Sequence, residues 1–312
     1  MTEKPLLIIL GATASGKTKL AVQLAKTLNA EIISADSRQV FKDMDIGTGK
    51  DLSEYEEANT PFHLINIRAA GENYNVNAFK DDFYKAFESI SHRCKLPILC
   101  GGTGMYIHSI LQNHEFTAVP VNENLRARLA ALTKTELQHT TTNYPSSLIS
   151  HADFSSTKRL IRAIEVAEYL QNNELPKIER PDIDFLVIGL VDTVENRREK
   201  IRKRLEDRLN EGLITEVESL LKKGISAQVL TSYGLEYKFV TAYLTNQIDY
   251  NTLKERLTTA IFQYAKRQQT FFRKMEKDGI KINWLDAGED ITMLKTQALQ
   301  LIETRFHFKN RR

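Results

Sequence analysis

The chain has 312 residues, of which 42% are hydrophobic and 27% charged, a composition typical of a globular protein with a full hydrophobic core. This length predicts one large domain or two modest ones. The formal net charge is only +3 at pH 7, which excludes the strong overall basic field of many nucleic-acid-binding proteins.

Cysteine content and hydropathy bear on the cellular compartment. Cys94 and Cys100 are too few for a disulfide framework, which suits a reducing environment. The apolar run Leu6–Leu10 spans only a strand's length, so it does not predict a signal peptide. No stretch is long enough to cross a membrane. We therefore expect a cytoplasmic protein.

A glycine-rich segment follows this first apolar run. It reads Gly11-Ala12-Thr13-Ala14-Ser15-Gly16-Lys17-Thr18, and a segment with helical spacing follows it. Strand, glycine-rich loop and helix in this order form the context in which such a pattern binds phosphate. Gly11 and Gly16 let successive backbone N–H groups point at phosphate oxygens. Lys17 adds a full charge, and the Thr18 hydroxyl can hold Mg²⁺. The segment predicts a polyphosphate site.

Strands and helices then alternate along the chain. We predict strands at Glu31–Ser37, Phe62–Ile67 and Pro97–Cys100, a loop at Met44–Lys50 and a helix at Asn77–Ile90. This alternation predicts an α/β fold with a doubly wound parallel sheet, and the phosphate loop makes that fold P-loop NTPase-like. Ligands bind at the carboxyl ends of the strands in such sheets. The phosphate loop, Asp36-Ser37 and Gly101–Thr103 should therefore converge on one crevice.

The pattern changes near Val119. No clear strand follows before Pro181, and helices are predicted at Asn122–Leu132 and Thr157–Leu170. We interpret residues 119–181 as a helical insertion domain between two parts of the core, residues 1–118 and 182–312. Within the second helix, the spacing predicts one basic face formed by Lys158, Arg159 and Arg162 and an inward face formed by Leu160, Ile164 and Ala167.

The last part of the chain should return to the sheet. Strands are predicted at Asp184–Val191 and Lys281–Leu285, and Gly212 and Gly224 are expected to break the helices between them. A basic cluster occupies the first of these helices, and comprises Arg197, Arg198, Lys200, Arg202, Lys203 and Arg204. Such clusters are typical of solvated helix faces and are also compatible with RNA binding.

The apolar face of the helix predicted at Thr258–Lys277 contains one glutamine, Gln268. Its amide must find hydrogen-bond partners there. A structural partner and a ligand-facing role both remain open.

Several polar residues could carry chemistry in the crevice. Asp36 is compatible with a turn or helix cap, an outer Mg²⁺ ligand or a general base, and its position alone favours none of these. Thr103 could orient Asp36 or bind the same nucleophile. His63 is better explained as a satisfied strand histidine than as a metal ligand. No Cys/His set has zinc spacing.

Eight segments together resemble the tRNA dimethylallyltransferases, also called tRNA isopentenyltransferases. These segments are Gly11–Thr18, Asp36–Phe41, Met44–Lys50, Phe62–Ile65, Tyr74–Val76, Gly101–Tyr106, Lys158–Glu165 and Ala265–Arg273. They occur in family order over nearly the whole chain. The resemblance implies transfer of a dimethylallyl group from dimethylallyl diphosphate to the exocyclic amine of the adenosine 3′-adjacent to the anticodon.

The resemblance also implies roles for single residues. Gly11, Thr13, Ala14, Ser15, Gly16, Lys17 and Thr18 would hold the diphosphate, with Mg²⁺ on Thr18 as the cofactor. Asp36 matches the general base, and Thr103 matches an adenine contact. The anticodon stem-loop of tRNA would contact Asp36, Ser37, Arg38, Gln39, Thr103, Arg126, Lys158, Arg159, Leu160, Ile161, Arg162, Leu230, Thr231, Ser232, Tyr233, Gly234, Leu235, Lys266, Arg267, Gln268, Gln269, Thr270, Phe271, Phe272 and Arg273. We expect a monomer.

Three alternatives share parts of this pattern. A free adenine-nucleotide isopentenyltransferase would use the same donor on AMP, ADP or ATP. A P-loop small-molecule kinase would use the same loop to bind ATP. A non-catalytic RNA-binding protein would leave the phosphate loop and Asp36 without a role.

Overall fold

The computed structural model describes residues 4–112, 115–149, 152–175 and 179–306. The chain forms two compact units: residues 1–112 with 181–312 make the first, and residues 113–180 make the second. In sequence, the second unit thus lies between the two parts of the first. The insertion predicted from the sequence spans residues 119–181.

A six-stranded sheet forms the centre of the first unit. The strands are β1 (Lys4–Gly11), β2 (Ala30–Ser34), β3 (Phe62–His63), β4 (Leu96–Gly101), β5 (Ile183–Val191) and β6 (Asn283–Asp286). Their order is β3-β2-β4-β1-β5-β6, and every pairing is parallel. The prediction of a parallel, doubly wound α/β sheet is confirmed.

Fourteen helices occur in the described ranges. They are α1 (Lys17–Leu28), α2 (Leu52–Glu57), α3 (Val76–His92), α4 (Gly104–Leu111), α5 (Glu123–Ala130), α6 (Lys134–Thr141), α7 (Ser146–Ile149), α8 (Thr157–Asn172), α9 (Val194–Glu211), α10 (Leu213–Lys222), α11 (Ala227–Ser232), α12 (Leu235–Leu244), α13 (Tyr250–Lys277) and α14 (Ile291–Phe306). A 3-10 helix spans Glu115–Ala118. Within the described residues, no helix combines the length and the apolar character that crossing a bilayer requires.

Helices cover both faces of the sheet. Leu6 to Leu10 of β1 are fully buried, as expected for a central parallel strand with helices on either side. On one face, Leu20 of α1 and Ile302 of α14 join the core, and on the other face Phe83 of α3 and Phe272 of α13 do so. Full burial of each such side chain contributes roughly 1.5–3 kcal/mol to the free energy of unfolding.

The third strand is shorter than the sequence indicates. We predicted Phe62–Ile67, but β3 ends at His63 because Leu64 and Asn66 adopt left-handed backbone conformations with φ of 62° and 58°. The chain then turns to pair with the segment after β2, where the Ile67 N–H donates to the Val40 carbonyl at 2.8 Å. An alternating apolar pattern does not reveal such a turn.

A helical layer, α9 to α13, packs beside the sheet. Gly212 and Gly224 adopt φ of 108° and 90°; the first separates α9 from α10 and the second follows α10, so both predicted breaks are confirmed. Buried side chains of α9, α10, α12 and α13 form one cluster with Val40 and Met44. This cluster attaches the loop after β2 to the helical layer.

The second unit has a small core of its own. Leu125, Leu129, Leu137, Leu160 and Ile164 are buried together. Helices α5 and α8 match the two predicted helices, but α6 and α7 lie in a stretch without a prediction. Thr133 and Glu136 form a capping box at the start of α6, so the Thr-x-x-Glu spacing was the signal that could have revealed it.

Candidate active site

A crevice of about 720 Å³ opens at the carboxyl ends of β1, β2 and β4. The phosphate loop follows β1, Asp36 and Ser37 follow β2, and Thr103 follows β4; all three segments line the crevice. The predicted convergence of the three strand tips is therefore confirmed. The rest of its wall comes from Gly47–Gly49 with Asp51, Glu54 of α2, the basic side of α9, the link between α11 and α12, and part of α13.

The phosphate loop is shaped by its two glycines. A Cβ at Gly11 would lie 2.5 Å from Ser15 Oγ and 3.2 Å from the Leu190 carbonyl oxygen, so any larger residue would displace the Ser15 hydroxyl. Gly16 precedes α1 with φ of 80°, a left-handed conformation that glycine adopts without strain. The Ser15 hydroxyl is buried without a hydrogen-bond partner among the described residues. A buried, unpartnered donor in a loop of this shape suits an anionic ligand.

Lys17 follows Gly16 at the start of α1 and lines the crevice. No ion pair to it occurs among the residues that the structure describes. Burial lowers the pKa of Lys17, Arg204 lowers it further, and Cys100, Asp36 and Asp51 act in the opposite direction. A bound diphosphate would favour the charged form of Lys17, so anion binding and protonation support each other here.

Asp36 uses one carboxylate oxygen to organise the loop after β2. Its Oδ1 accepts the Arg38 N–H at 2.8 Å, and Oδ2 accepts no hydrogen bond from the described residues. Thr103 Oγ1 accepts the Ser37 N–H at 3.1 Å, so the tips of β2 and β4 are joined beside Asp36. One oxygen of Asp36 therefore fixes the turn while the other is available to a substrate.

Gln268 connects the phosphate loop to the tip of β4. Its Oε1 accepts the Thr13 N–H at 2.9 Å, and its Nε2 donates to the Gly102 carbonyl at 2.9 Å. The side chain is buried in the wall of the crevice. These hydrogen bonds give Gln268 a structural role. They also hold its side-chain amide next to the phosphate loop.

Residues 43–51, here called the crevice loop, contribute Gly47, Thr48, Gly49 and Asp51 to the wall of the crevice. The fully buried Lys50 donates to the Phe41 carbonyl at 2.6 Å, to Asp45 Oδ1 at 2.6 Å and to Asn66 Oδ1 at 2.5 Å. Burial lowers the pKa of Lys50, and Asp45 opposes that effect. Gln39 Nε2 donates to the Gly49 carbonyl at 2.9 Å. The loop is therefore tied to the core at several points.

Glu216 of α10 holds the other side of the crevice loop. Its Oε2 accepts the N–H groups of Asp45 and Ile46, both at 2.7 Å, and its Oε1 accepts the Gly47 N–H at 3.0 Å. Tyr237 of α12 donates its hydroxyl to the same Oε1 at 2.7 Å. No local pattern predicts this role of Glu216, because only the folded chain brings three amides to one carboxylate.

Helix α9 gives the crevice a basic wall. Lys200, Lys203, Arg204 and Arg208 line it. Arg204 pairs with Asp51 of the crevice loop, and Arg208 pairs with Glu236 at 3.3 Å. The sequence predicts a basic helix here but assigns none of its charges to the crevice, since their spacing equally fits a solvated face.

His63 has a structural partner on the neighbouring strand. Its Nε2 lies 2.7 Å from Glu31 Oε2, which confirms the structural interpretation. No group of three or more His, Cys, Asp or Glu side chains within the described ranges has the arrangement of a metal site. Thr18 lines the crevice in the first turn of α1.

The predicted RNA-binding residues divide into crevice residues and others. Asp36, Ser37, Arg38, Gln39, Thr103, Tyr233, Gly234, Leu235 and Gln268 line the crevice. Leu160, Leu230 and Phe272 are fully buried, so their side chains support their segments from within the core. Of the others, Lys266, Arg267, Thr270 and Arg273 are exposed on α13, Gln269 and Phe271 are half-buried there, and Thr231 and Ser232 are exposed on α11.

Within the second unit, the predicted basic face is largely neutralised. The buried Glu165 pairs with Arg126 at 2.8 Å and with Arg162 at 2.5 Å. Arg162 also donates to the carbonyls of Phe116 and Val119. Arg159 pairs with Asp153 at 2.6 Å. The predicted inward side chains of α8 are buried as expected, but Arg126 and Arg162 hold the unit together in addition to any role on its surface.

A model of the family described as IPP transferase matches residues 39–275. A tRNA dimethylallyltransferase 2 from Porphyromonas gingivalis is 52% identical over 284 residues, which cover 90% of this chain and 94% of the relative. A tRNA dimethylallyltransferase 2 from Phocaeicola vulgatus is 47% identical over 307 residues, which cover 98% and 100% of the two chains. The match therefore includes both units and the crevice.

Two solved structures resemble the whole chain. The tRNA delta(2)-isopentenylpyrophosphate transferase of Staphylococcus epidermidis has a TM-score of 0.70 at 30% identity and covers 97% of this chain and 100% of its own. The tRNA isopentenylpyrophosphate transferase of Bacillus halodurans has a TM-score of 0.71 at 29% identity and covers 98% and 99%.

Proposed function

The chain belongs to the IPP transferase family of tRNA dimethylallyltransferases, and we propose that its crevice transfers a dimethylallyl group from dimethylallyl diphosphate to an adenosine amine in tRNA. One observation carries the assignment of the site: the phosphate loop, Asp36 and Thr103 line a single crevice. A diphosphate on the loop and an adenine beside Asp36 and Thr103 would then bring the allylic carbon and the amine together.

The leaving group is the diphosphate. As the exocyclic nitrogen bonds to the allylic carbon, the carbon–oxygen bond to the diphosphate breaks and negative charge builds on the diphosphate. Lys17, the N–H groups of the phosphate loop and Arg204 of α9 would stabilise that charge. The buried hydroxyl of Ser15 supplies one further donor. Positive groups on both walls of the crevice support this role.

Asp36 would act as the general base. The attacking amine must lose a proton once the new bond forms. Oδ2 of Asp36 is available to accept it, while Oδ1 continues to accept the Arg38 N–H. Thr103, which is joined to the same turn, would hydrogen-bond the adenine and orient its amine. The target base must leave its stack to reach a crevice of this kind.

Thr18 would hold Mg²⁺ together with diphosphate oxygens and water. This donor set fits the residues present, because the Thr18 hydroxyl lines the crevice in the first turn of α1 and Mg²⁺ prefers oxygen ligands, keeps several waters and needs few protein groups. When bound, the ion would neutralise part of the charge on the diphosphate. We propose that the enzyme acts as a monomer in the cytoplasm, on the anticodon stem-loop next to the anticodon.

A labelled-donor assay tests the proposal. Purified protein, Mg²⁺ and dimethylallyl diphosphate labelled in the allyl group are mixed with unmodified tRNA or with AMP. We expect label in tRNA. Label only in AMP would assign the chain to the free-nucleotide enzymes, and phosphate transfer from ATP without allyl transfer would favour the kinase alternative.

A further inference from the structure

We propose that Arg198 and Arg202 of α9 and Phe262 of α13 form a docking site for the phosphate backbone of the tRNA substrate. This site, here called the arginine platform, lies outside the set of residues that line the crevice. The inference rests on the proposed function, because the ligand is the same tRNA whose adenosine enters the crevice.

The aromatic ring of Phe262 holds both arginines. The guanidinium carbon of Arg198 lies 5.5 Å from the ring centroid, and that of Arg202 lies 5.3 Å from it. Both distances are within the range of a cation–π interaction. Arg198 and Arg202 are four residues apart on one helix face, so the ring restrains two neighbouring long side chains that would otherwise move freely.

Both guanidinium groups keep their hydrogen-bonding capacity. Across the described ranges, neither forms a hydrogen bond or an ion pair with the protein, although Glu195 and Glu199 lie on the same part of α9. Arg204 and Arg208 of the same helix, by contrast, are paired with Asp51 and Glu236. Two restrained like charges with planar sets of donors suit a phosphate, which can accept from both.

The position of the platform favours a ligand longer than a nucleotide. Helix α9 also supplies Lys200 and Lys203 to the crevice, and α13 supplies Ile261 and Tyr264, so the platform lies on the same pair of helices as the crevice wall. The crevice accounts for the diphosphate and the adenosine. Cations beside it are placed to meet a polyanion that continues past the reacting nucleotide, which fits the RNA backbone.

The test is the salt dependence of tRNA binding. We would measure binding of unmodified tRNA over a series of KCl concentrations for the wild type and for Arg198→Gln/Arg202→Gln. Each lost phosphate contact makes the negative slope of log K against log[salt] shallower by roughly 0.7–0.9, so the magnitude of the slope should fall by about 1–2 in the double variant. Binding of dimethylallyl diphosphate without tRNA should not change.

Two further variants test whether the position of the arginines on the ring, and not only the number of positive charges on the protein, determines tRNA binding. Lys85→Gln/Lys222→Gln removes the same charge from exposed lysines whose partners are Asp82 and Glu218, and should keep the wild-type slope. Phe262→Leu keeps both arginines but removes the ring, and should weaken tRNA binding at every salt concentration. Circular dichroism would verify that each variant is folded.

The outcomes are distinct from those of the labelled-donor assay. A wild-type slope in Arg198→Gln/Arg202→Gln, or an equal loss in the Lys85→Gln/Lys222→Gln control, would overturn the platform even where the wild-type enzyme transfers the allyl group to tRNA. Failure of allyl transfer by the wild type would instead refute the proposed reaction. A reduced slope confined to the arginine variant supports the platform.

Discussion

Asp36 is the residue on which the proposed chemistry depends most directly. Asp36→Asn should reduce allyl transfer by roughly 10²–10⁴-fold, the usual contribution of a general base. Asparagine can still accept the Arg38 N–H through its side-chain oxygen, so the turn and tRNA binding should persist. Single-turnover transfer and tRNA binding, measured on the same preparation, would test both expectations.

A matched control for Asp36 is Asp207 of α9, which also lines the crevice. Asp207→Asn removes the same charge there and should retain turnover, because this carboxylate has no proton to accept in the proposed reaction. Equal turnover by Asp36→Asn and the wild type would refute the general-base role. Equal losses in the two variants would instead point to a general electrostatic effect.

Replacing Gln268 should weaken binding of dimethylallyl diphosphate and leave the proton transfer to Asp36 unchanged. Gln268→Leu leaves the Thr13 N–H and the Gly102 carbonyl without their partner, and each unsatisfied buried group costs about 1–3 kcal/mol. We expect a lower free energy of unfolding and a higher KM for dimethylallyl diphosphate. Its half-buried neighbour Gln269 makes no hydrogen bond among the described residues, so Gln269→Leu is the matched control. Similar KM values for both variants would contradict the role of Gln268.

Single site residues could be predicted from the sequence where each follows a strand whose place in the sheet was itself predictable. Lys17, Asp36 and Thr103 follow strands of one parallel sheet, so their meeting could be predicted from strand order alone. Glu216 and Arg208 could not be predicted in this way, because helices that pack against the crevice loop bring them there. Gln268 is an intermediate case, in which the pattern revealed a buried amide but not its partners.

At the scale of elements, Glu216 of α10 determines where the crevice loop lies. One carboxylate accepts three backbone N–H groups and the Tyr237 hydroxyl, and hydrogen bonds to charged groups contribute about 1.5–3 kcal/mol each. Glu216→Gln replaces one acceptor oxygen by a donor that faces N–H groups. We expect a loss of stability on the order of 2–4 kcal/mol and faster hydrogen exchange at Asp45, Ile46 and Gly47.

The same helix offers the control for Glu216. Glu218 is exposed and pairs with Lys222 at 2.9 Å, and exposed ion pairs contribute about 0–1 kcal/mol. Glu218→Gln should therefore change neither stability nor exchange appreciably. If exchange in the crevice loop is as slow in Glu216→Gln as in Glu218→Gln, the carboxylate does not hold the loop.

Elements were predictable where local pattern and tertiary packing agree. Strands β1, β4 and β5 are continuous apolar runs, and α3 and α8 have clear helical spacing, so all five were recognised. Strand β3 was predicted too long, because left-handed residues at Leu64 and Asn66 end it and the side chain of Asn66 is committed to Lys50. Side-chain hydrogen bonds of this kind join residues distant in sequence, so a local pattern does not reveal them.

At the scale of the whole molecule, strand and helix order predicted the parallel sheet, but not the polar contacts that stabilise its edge. Glu31 of β2 is buried there and lies 2.7 Å from Arg93 Nη2, 3.0 Å from Lys95 Nζ and 2.7 Å from His63 Nε2. Burial raises the pKa of Glu31, but the hydrogen bonds from Arg93, His63 and Lys95 together outweigh it and lower the pKa to about 2.

This lowered pKa makes the stability of the protein depend on pH in a specific range. In the unfolded chain the glutamate titrates near its usual pKa of about 4.3. Its stabilising contribution is therefore complete above that pH, and is lost as the pH falls toward 2, because protons bind more tightly to the unfolded chain. A shift of this size corresponds to about 3 kcal/mol at neutral pH.

Glu31→Gln should remove this contribution, so the wild type and the variant should converge as the pH falls. Urea unfolding at pH 7, 5, 4 and 3 would measure the difference in the free energy of unfolding. We expect the difference to be largest at pH 7 and about 2 kcal/mol smaller at pH 3. Taking the difference cancels carboxylates that titrate alike in both proteins. A difference that stays constant from pH 7 to pH 3 would mean that packing, and not the charge of Glu31, stabilises this edge of the sheet.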